Sequence, residues 1–215
     1  IMYDKMEEDI EEDMEEDVED IDSVEDVFVP IGEYYDNIKN GNMSFDGDLQ
    51  EYLWWKCEEN DVDFYIIMAQ ICEESEYKST AKGHNTNGTV DKGLAQINSK
   101  YLEYFEELMG MDIDPYNPYD AIDWIVFFHS YEKPYWISNG YNNDDADMAV
   151  LGSYNKGRNN MKSYINKHGV SYYYNDNIMS RREQLMEEHL NDIETVSSQK
   201  HNERKTINDN NTEER

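Results

Sequence analysis

Between Val62 and Glu73 the chain is apolar on nearly every side: Phe64, Tyr65, Ile66, Ile67, Met68, Ala69, Ile71 and Cys72 fall within one short stretch. A helix apolar all round is buried all round. Whatever this chain folds into must therefore wrap other elements about this segment. The segment then stops abruptly in Glu73-Glu74-Ser75, which sets acidic groups at the edge of the core.

The surrounding pattern is mostly helical. Asp48, with Glu51 three residues on, reads as a capping box that opens a helix with Leu49, Tyr52, Leu53, Trp55 and Cys57 on its face. Asn87-Gly88 is a turn signal, and residues 78–92 fit a small β-hairpin. Further helices are expected over 94–109, 121–131, 146–154, 159–167 and 173–191. The expected fold class is α+β, predominantly α-helical, with one small β-hairpin.

Charge divides the chain. The formal net charge is −31, and residues 1–30 hold 15 Asp and Glu against a single Lys. Residues 1–47 read as an acidic stalk or linker, 48–192 as the folded domain, and 193–215 as a disordered polar tail. Within 1–28, apolar residues recur every three or four positions, so a helix that pairs with a partner or folds back is the alternative to a solvated stalk. Such acidity argues against nucleic acid as a partner, and against an anionic lipid surface. No apolar run reaches the length of a membrane helix. No signal-peptide pattern follows Ile1, and the reading leaves room for an export signal or membrane anchor upstream of it.

Cys57 and Cys72 flank the turn near Asn60 at unequal distances. In an antiparallel helical hairpin they are offset by about 12 Å, beyond the roughly 7 Å that a disulfide spans. Both are read as free, buried thiols. The five histidines lack a paired metal-ligand spacing, and no metal or cofactor is expected.

Glu74, at the C-terminal end of the buried helix, is the candidate catalytic acid. Burial, the neighbouring Glu73 and Glu76, and the negative end of the helix dipole all favour its protonated form. A protonated carboxyl beside a groove is what glycosidic cleavage needs, because the leaving oxygen must receive a proton. Taken alone, the spacing favours a solvated helix-end glutamate over a catalytic one.

The run from Glu74 to Ser99, ESEYKSTAKGHNTNGTVDKGLAQINS, resembles the catalytic segment of soluble lytic transglycosylases and chicken-type lysozymes. The matching pieces are Glu74-Ser75, the turn Asn85-Thr86-Asn87-Gly88, and Gly93-Leu94-Ala95-Gln96-Ile97-Asn98-Ser99. Asp114-Pro115-Tyr116-Asn117 with Ala121-Ile122, Ser153-Tyr154-Asn155-Lys156-Gly157, and the stretch Tyr174–Leu185 are similar to later transglycosylase segments. Ala95, Ser153 and Lys156 depart from the family's usual Met, Ala and Ala.

The resemblance implies a lysozyme-like fold and cleavage of peptidoglycan between N-acetylmuramic acid and N-acetylglucosamine, closing a 1,6-anhydro ring. It implies Glu74 as acid and base, with Tyr154 hydrogen-bonded near it. Ser75, Gln96, Asn98 and Asn155 would be polar contacts to the glycan. It also raises Asp91, which stands where chicken-type lysozymes carry their second carboxylate. Hydrolysis by Glu74 and Asp91 is therefore the alternative activity, and hydrogen bonding to the hairpin backbone the plainer role for Asp91. A non-catalytic wall-binding protein is the alternative of another class. By analogy, the enzyme would work outside the cytoplasm, opening the wall locally for a secretion, conjugation or phage machine. Tyr101, Tyr104, Tyr135 and Tyr172 to Tyr174 are further candidates for stacking on sugar rings.

Overall fold

A computed structural model describes residues 28–31 and 45–213, with side chains through residue 199. The acidic stripe of residues 1–27 lies outside the described residues. Helices α1 (Gly47–Asn60) and α2 (Phe64–Ser75) form a hairpin. Strands β1 (Lys82–His84), β2 (Val90–Lys92) and β3 (Ile97–Asn98) follow. Then come α3 (Leu102–Met109), α4 (Pro118–Ser138), α5 (Asn143–Lys156), α6 (Arg158–His168) and α7 (Tyr173–Glu213).

The apolar segment is the centre of the molecule, as its composition requires. Ile67, Met68, Ala69 and Ile71 of α2 have no exposed surface, and Leu53, Ile122, Ile125, Val150, Leu151 and Leu185 are buried with them. Asp63 caps the N-terminus of α2 by accepting from the Ile66 amide at 3.0 Å. The helix is stopped by two successive left-handed residues, Glu76 (φ 50°) and Tyr77 (φ 59°). That conformation is costly for side chains with a Cβ. Tyr77 is held in it by burial, stacked on Phe45 with ring centroids 5.5 Å apart. The chain thus turns sharply away directly after Glu74.

Helix α7 runs antiparallel along α2. Tyr174, Ile178, Leu185 and His189 form its buried stripe at helical spacing. Near the start of α2, Arg182 pairs with Asp63 at 2.6 Å and Tyr65 meets His189 Nδ1 at 2.9 Å. At the other end, Tyr174 reaches Glu74. Among the described residues no helix is long and apolar enough to cross a membrane.

Several boundaries differ from those read in the sequence. The cap of α1 is Asp46, whose side chain accepts from the Leu49 amide, so the helix starts ahead of Asp48. The core also takes in Ile31 and Phe45, and Ile31 is tied to Gln50 through its amide at 3.0 Å. Residues 94–99 are not helical: Gly93 (φ 72°) and Gln96 (φ 48°) break the helical path. Ile97–Asn98 pairs instead with β2, which gives a three-stranded antiparallel sheet in place of one hairpin. Helix α4 continues through Pro134, anchored by buried Trp136, whose indole donates to Ser153. The tail expected to be disordered extends α7 as far as Glu213. Residues 173–213 contain no Gly or Pro, so no strong helix breaker interrupts the run. Both cysteines are free; Cys57 is buried and Cys72 only partly so.

Candidate active site

Glu74 sits in the last turn of α2, partly exposed, with its carboxyl against α7. Burial raises its pKa from 4.5 to about 7, the bond donated by Tyr174 works against this, and the charges of Asp91 and Glu73 add to the rise. A carboxyl titrating there is both an available acid and an available base at neutral pH.

The hydroxyl on Glu74 comes from Tyr174, not from Tyr154. Tyr154 donates instead to the backbone carbonyl of Ala95, tying α5 to the turn before β3. Its ring packs edge-on to Phe128 and Trp124 at 5.0 and 5.3 Å. It stays within the electrostatic reach of Glu74 and Asp91, whose charges add to the effect of burial and hold its hydroxyl well above the usual tyrosine range. Tyr174 is pushed up for the same first reason, burial, with Glu74 next.

Behind Tyr174 lies a polar chain that the sequence reading did not single out. Gln70 Nε2 donates to the Tyr174 hydroxyl at 3.2 Å, and His129 Nε2 meets Gln70 Oε1 at 2.6 Å. Gln70 has no exposed surface and His129 almost none. Burial, with Lys133 nearby, holds the imidazole down at about 3, so it is neutral. A signal was present: Gln70 is a lone amide in an apolar run, four residues before Glu74 and hence on its face. A buried amide demands partners.

Asp91 lies in the middle of β2, opposite Gly83 of β1 and Asn98 of β3. Its two oxygens accept from Asn98 Nδ2 at 2.6 Å and Asn85 Nδ2 at 2.8 Å. Side-chain amides, rather than the hairpin backbone, hold it. Asn98 is correspondingly occupied, since it also donates to Thr89 Oγ1 and accepts from the Lys100 amide. Gln96 donates to the Gly93 carbonyl at 2.8 Å. Asn155 accepts from the Tyr172 hydroxyl at 3.0 Å, at the surface. Ser75 departs from its expected place at the glycan: it is buried, and its hydroxyl donates back to the Ile71 carbonyl one turn earlier.

Of the other tyrosines, Tyr101 and Tyr104 are exposed and line a recess of about 530 Å³ with Tyr131, Lys156 and Arg158. The floor of that recess is fixed by a two-pronged pairing of Arg158 with Glu132, at 2.7 and 2.9 Å. Tyr135 lies under the Arg158 guanidinium at 4.4 Å, and Tyr172 lies under Lys156. That lysine, where the resembling family has alanine, therefore covers an aromatic face beside Asn155.

No family model matches the sequence, and no curated protein matches it. Among solved structures, the fold is similar to that of an inactive glutamate-to-glutamine mutant of the lytic transglycosylase Slt from Pseudomonas aeruginosa. The TM-score is 0.54 at 14% identity, over 69% of this chain and 25% of that one. The chain thus spans about a quarter of that protein's length. At this identity the likeness is one of fold: the chain has a lysozyme-like, predominantly helical α+β fold.

Proposed function

We propose that the protein is a peptidoglycan lytic transglycosylase that uses Glu74 as its single acid and base. The observation that carries this reading is a partly exposed carboxyl at a helix end, titrating near 7 and gripped from behind by Tyr174. In the forward step the Glu74 proton passes to the glycosidic oxygen as the bond to muramyl C1 breaks. The carboxylate then takes the proton of the muramyl 6-hydroxyl while that oxygen bonds to C1. The proton lost is regained, no water is consumed, and no second carboxylate is required. Both oxygens of Asp91 accept from asparagine amides, bonding that braces the sheet and keeps lone pairs free, so it suits either route. The substrate places the work outside the cytoplasm, with local wall opening for a larger machine as the setting.

One observation favours the hydrolytic alternative: the charge of Asp91 acts on Glu74. Digestion of purified sacculi followed by mass spectrometry separates the readings. Muropeptides lighter by one water, with anhydro ends, are expected from the wild type and not from Glu74→Gln. Ordinary reducing ends would instead support a muramidase. Binding to the wall with no released fragment would overturn both and leave a non-catalytic wall-binding protein.

A further inference from the structure

The chain behind Glu74 has a direction. An amide oxygen only accepts, so Gln70 Oε1 must receive its bond from the Nε2–H of His129. That fixes the neutral imidazole tautomer and points the Gln70 amino group at Tyr174, to which it donates. With one lone pair of its oxygen taken, the Tyr174 hydroxyl spends its only hydrogen on Glu74 Oε1. Each link orients the next, from α4 through α2 and α7 and back to the end of α2.

We infer that Gln70 and His129 are positioning residues for Glu74, their buried chain through Tyr174 occupying Oε1 and so reserving Oε2 for the proton that is transferred. This rests on Glu74 being the acid. Neither residue touches the substrate; both act through the tyrosine. The titratable groups facing Glu74 are Tyr174 on α7, Asp91 on β2, Tyr154 on α5 and Glu73 on its own helix. Those facing His129 reduce to Lys133 on its own helix, Gln70 being uncharged.

The test compares wild type with Gln70→Leu and His129→Phe, which cut the chain, and with His129→Gln, which keeps an N–H donor. The first readout needs no substrate: carbon-13 titration of the Glu74 carboxyl, assigned by its loss in Glu74→Gln. Cutting the chain frees the Tyr174 hydroxyl and weakens its bond to the carboxylate, so the midpoint should rise by about half a pH unit or more. The second is turnover on sacculi, where kcat should fall about tenfold with KM unchanged. His129→Gln should stay close to wild type in both. If Gln70→Leu does not fold, the two His129 variants make the same comparison. Folded chain-cutting variants that titrate and turn over like wild type would overturn the proposal. A displaced titration in a protein that releases no wall fragments would uphold the chain and sink the transglycosylase reading alone.

Discussion

Tyr174 donates its hydroxyl hydrogen to Oε1 of Glu74 across 100 residues of sequence. The contact exists because α7 lies antiparallel on α2, fastened at the far end by Arg182 and Asp63. A donated bond favours the charged carboxylate, so it holds the Glu74 pKa below the value that burial alone would set. In Tyr174→Phe the pKa therefore rises, and the alkaline limb of the activity profile, near pH 7 in the wild type, moves upward. The maximal rate nevertheless falls, about tenfold, because the acid is no longer held in place. A pH profile of kcat/KM checks both; an unmoved limb would contradict the bond.

Glu74→Gln should lose activity by about 10²–10⁴-fold, the usual worth of a positioned acid. It should also stabilise the protein, with a sign set by linkage. The carboxyl titrates near 4.5 when unfolded and near 7 when folded. Between those values the native state binds more protons, so this group's contribution to stability falls as pH rises. At about 1.4 kcal/mol per pH unit, the wild type loses up to about 3 kcal/mol across the window. Glutamine escapes the loss. Denaturant unfolding at pH 4 and pH 8 should show near equality at the first and a more stable variant at the second.

Much of this was legible in the sequence, and what was not has a physical cause. The all-round apolar run announced a buried helix, and its acidic end announced Glu74, because both are local patterns. Which tyrosine would reach Glu74 depends on how α7 packs on α2, and no local period encodes that. Tyr154 is close enough to feel Glu74, but its hydroxyl is aimed at the Ala95 carbonyl. Ser75 follows Glu74 in sequence, yet on a helix adjacent residues face different ways, and its side chain turns into the core. The strand at Ile97–Asn98 was hidden because helix and strand cannot be told apart in a short apolar run until the backbone signs of Gly93 and Gln96 are known.

Asp91→Asn discriminates the two chemistries. The negative charge of Asp91 raises the Glu74 pKa, so its removal should shift the alkaline limb downward. An asparagine also offers one acceptor oxygen where Asn85 and Asn98 now bond to two, loosening the hairpin. Under the one-carboxyl route the rate should fall less than about tenfold. A two-carboxylate hydrolase should lose about 10³-fold or more, as when a covalent or charge-stabilising group is removed. Single-turnover rates at the pH optimum of each variant make the comparison fair.

His129 should mark the acid limit of the fold. Its pKa is about 3 in the folded protein against 6.5 when free. Between these values the unfolded chain binds the extra proton, so stability is lost as pH falls from 6.5 toward 3. The loss across the whole window is on the order of 5 kcal/mol. His129→Gln keeps the donor to Gln70 without titrating. Its stability relative to wild type should therefore improve steadily below pH 6, as read by urea unfolding at pH 4.5 and 7. A constant difference across that range would mean that the imidazole is not held neutral.

Gly93 joins three parts of the site by its backbone alone. Its amide donates to the Ala81 carbonyl at 2.9 Å, and its own carbonyl accepts from the Gln96 side chain at 2.8 Å. Its φ is +72°, and a Cβ placed there would stand 1.5 Å from the Pro115 carbonyl oxygen and 2.6 Å from the carbon. That obstacle is backbone, which cannot swing aside as a side chain would. Gly88 offers the control: its φ is +85°, but a Cβ there meets nothing within 4 Å. Gly88→Ala should cost only the conformational penalty, about 1 kcal/mol. Gly93→Ala adds overlap with a fixed loop and should cost about 4 kcal/mol or more. Because Ala95, the acceptor of Tyr154, follows two residues later, the folded fraction of Gly93→Ala should also lose turnover. Equal midpoints for the two variants in guanidinium unfolding would show that the loop at Pro115 yields, and that this close approach does not hold the site together.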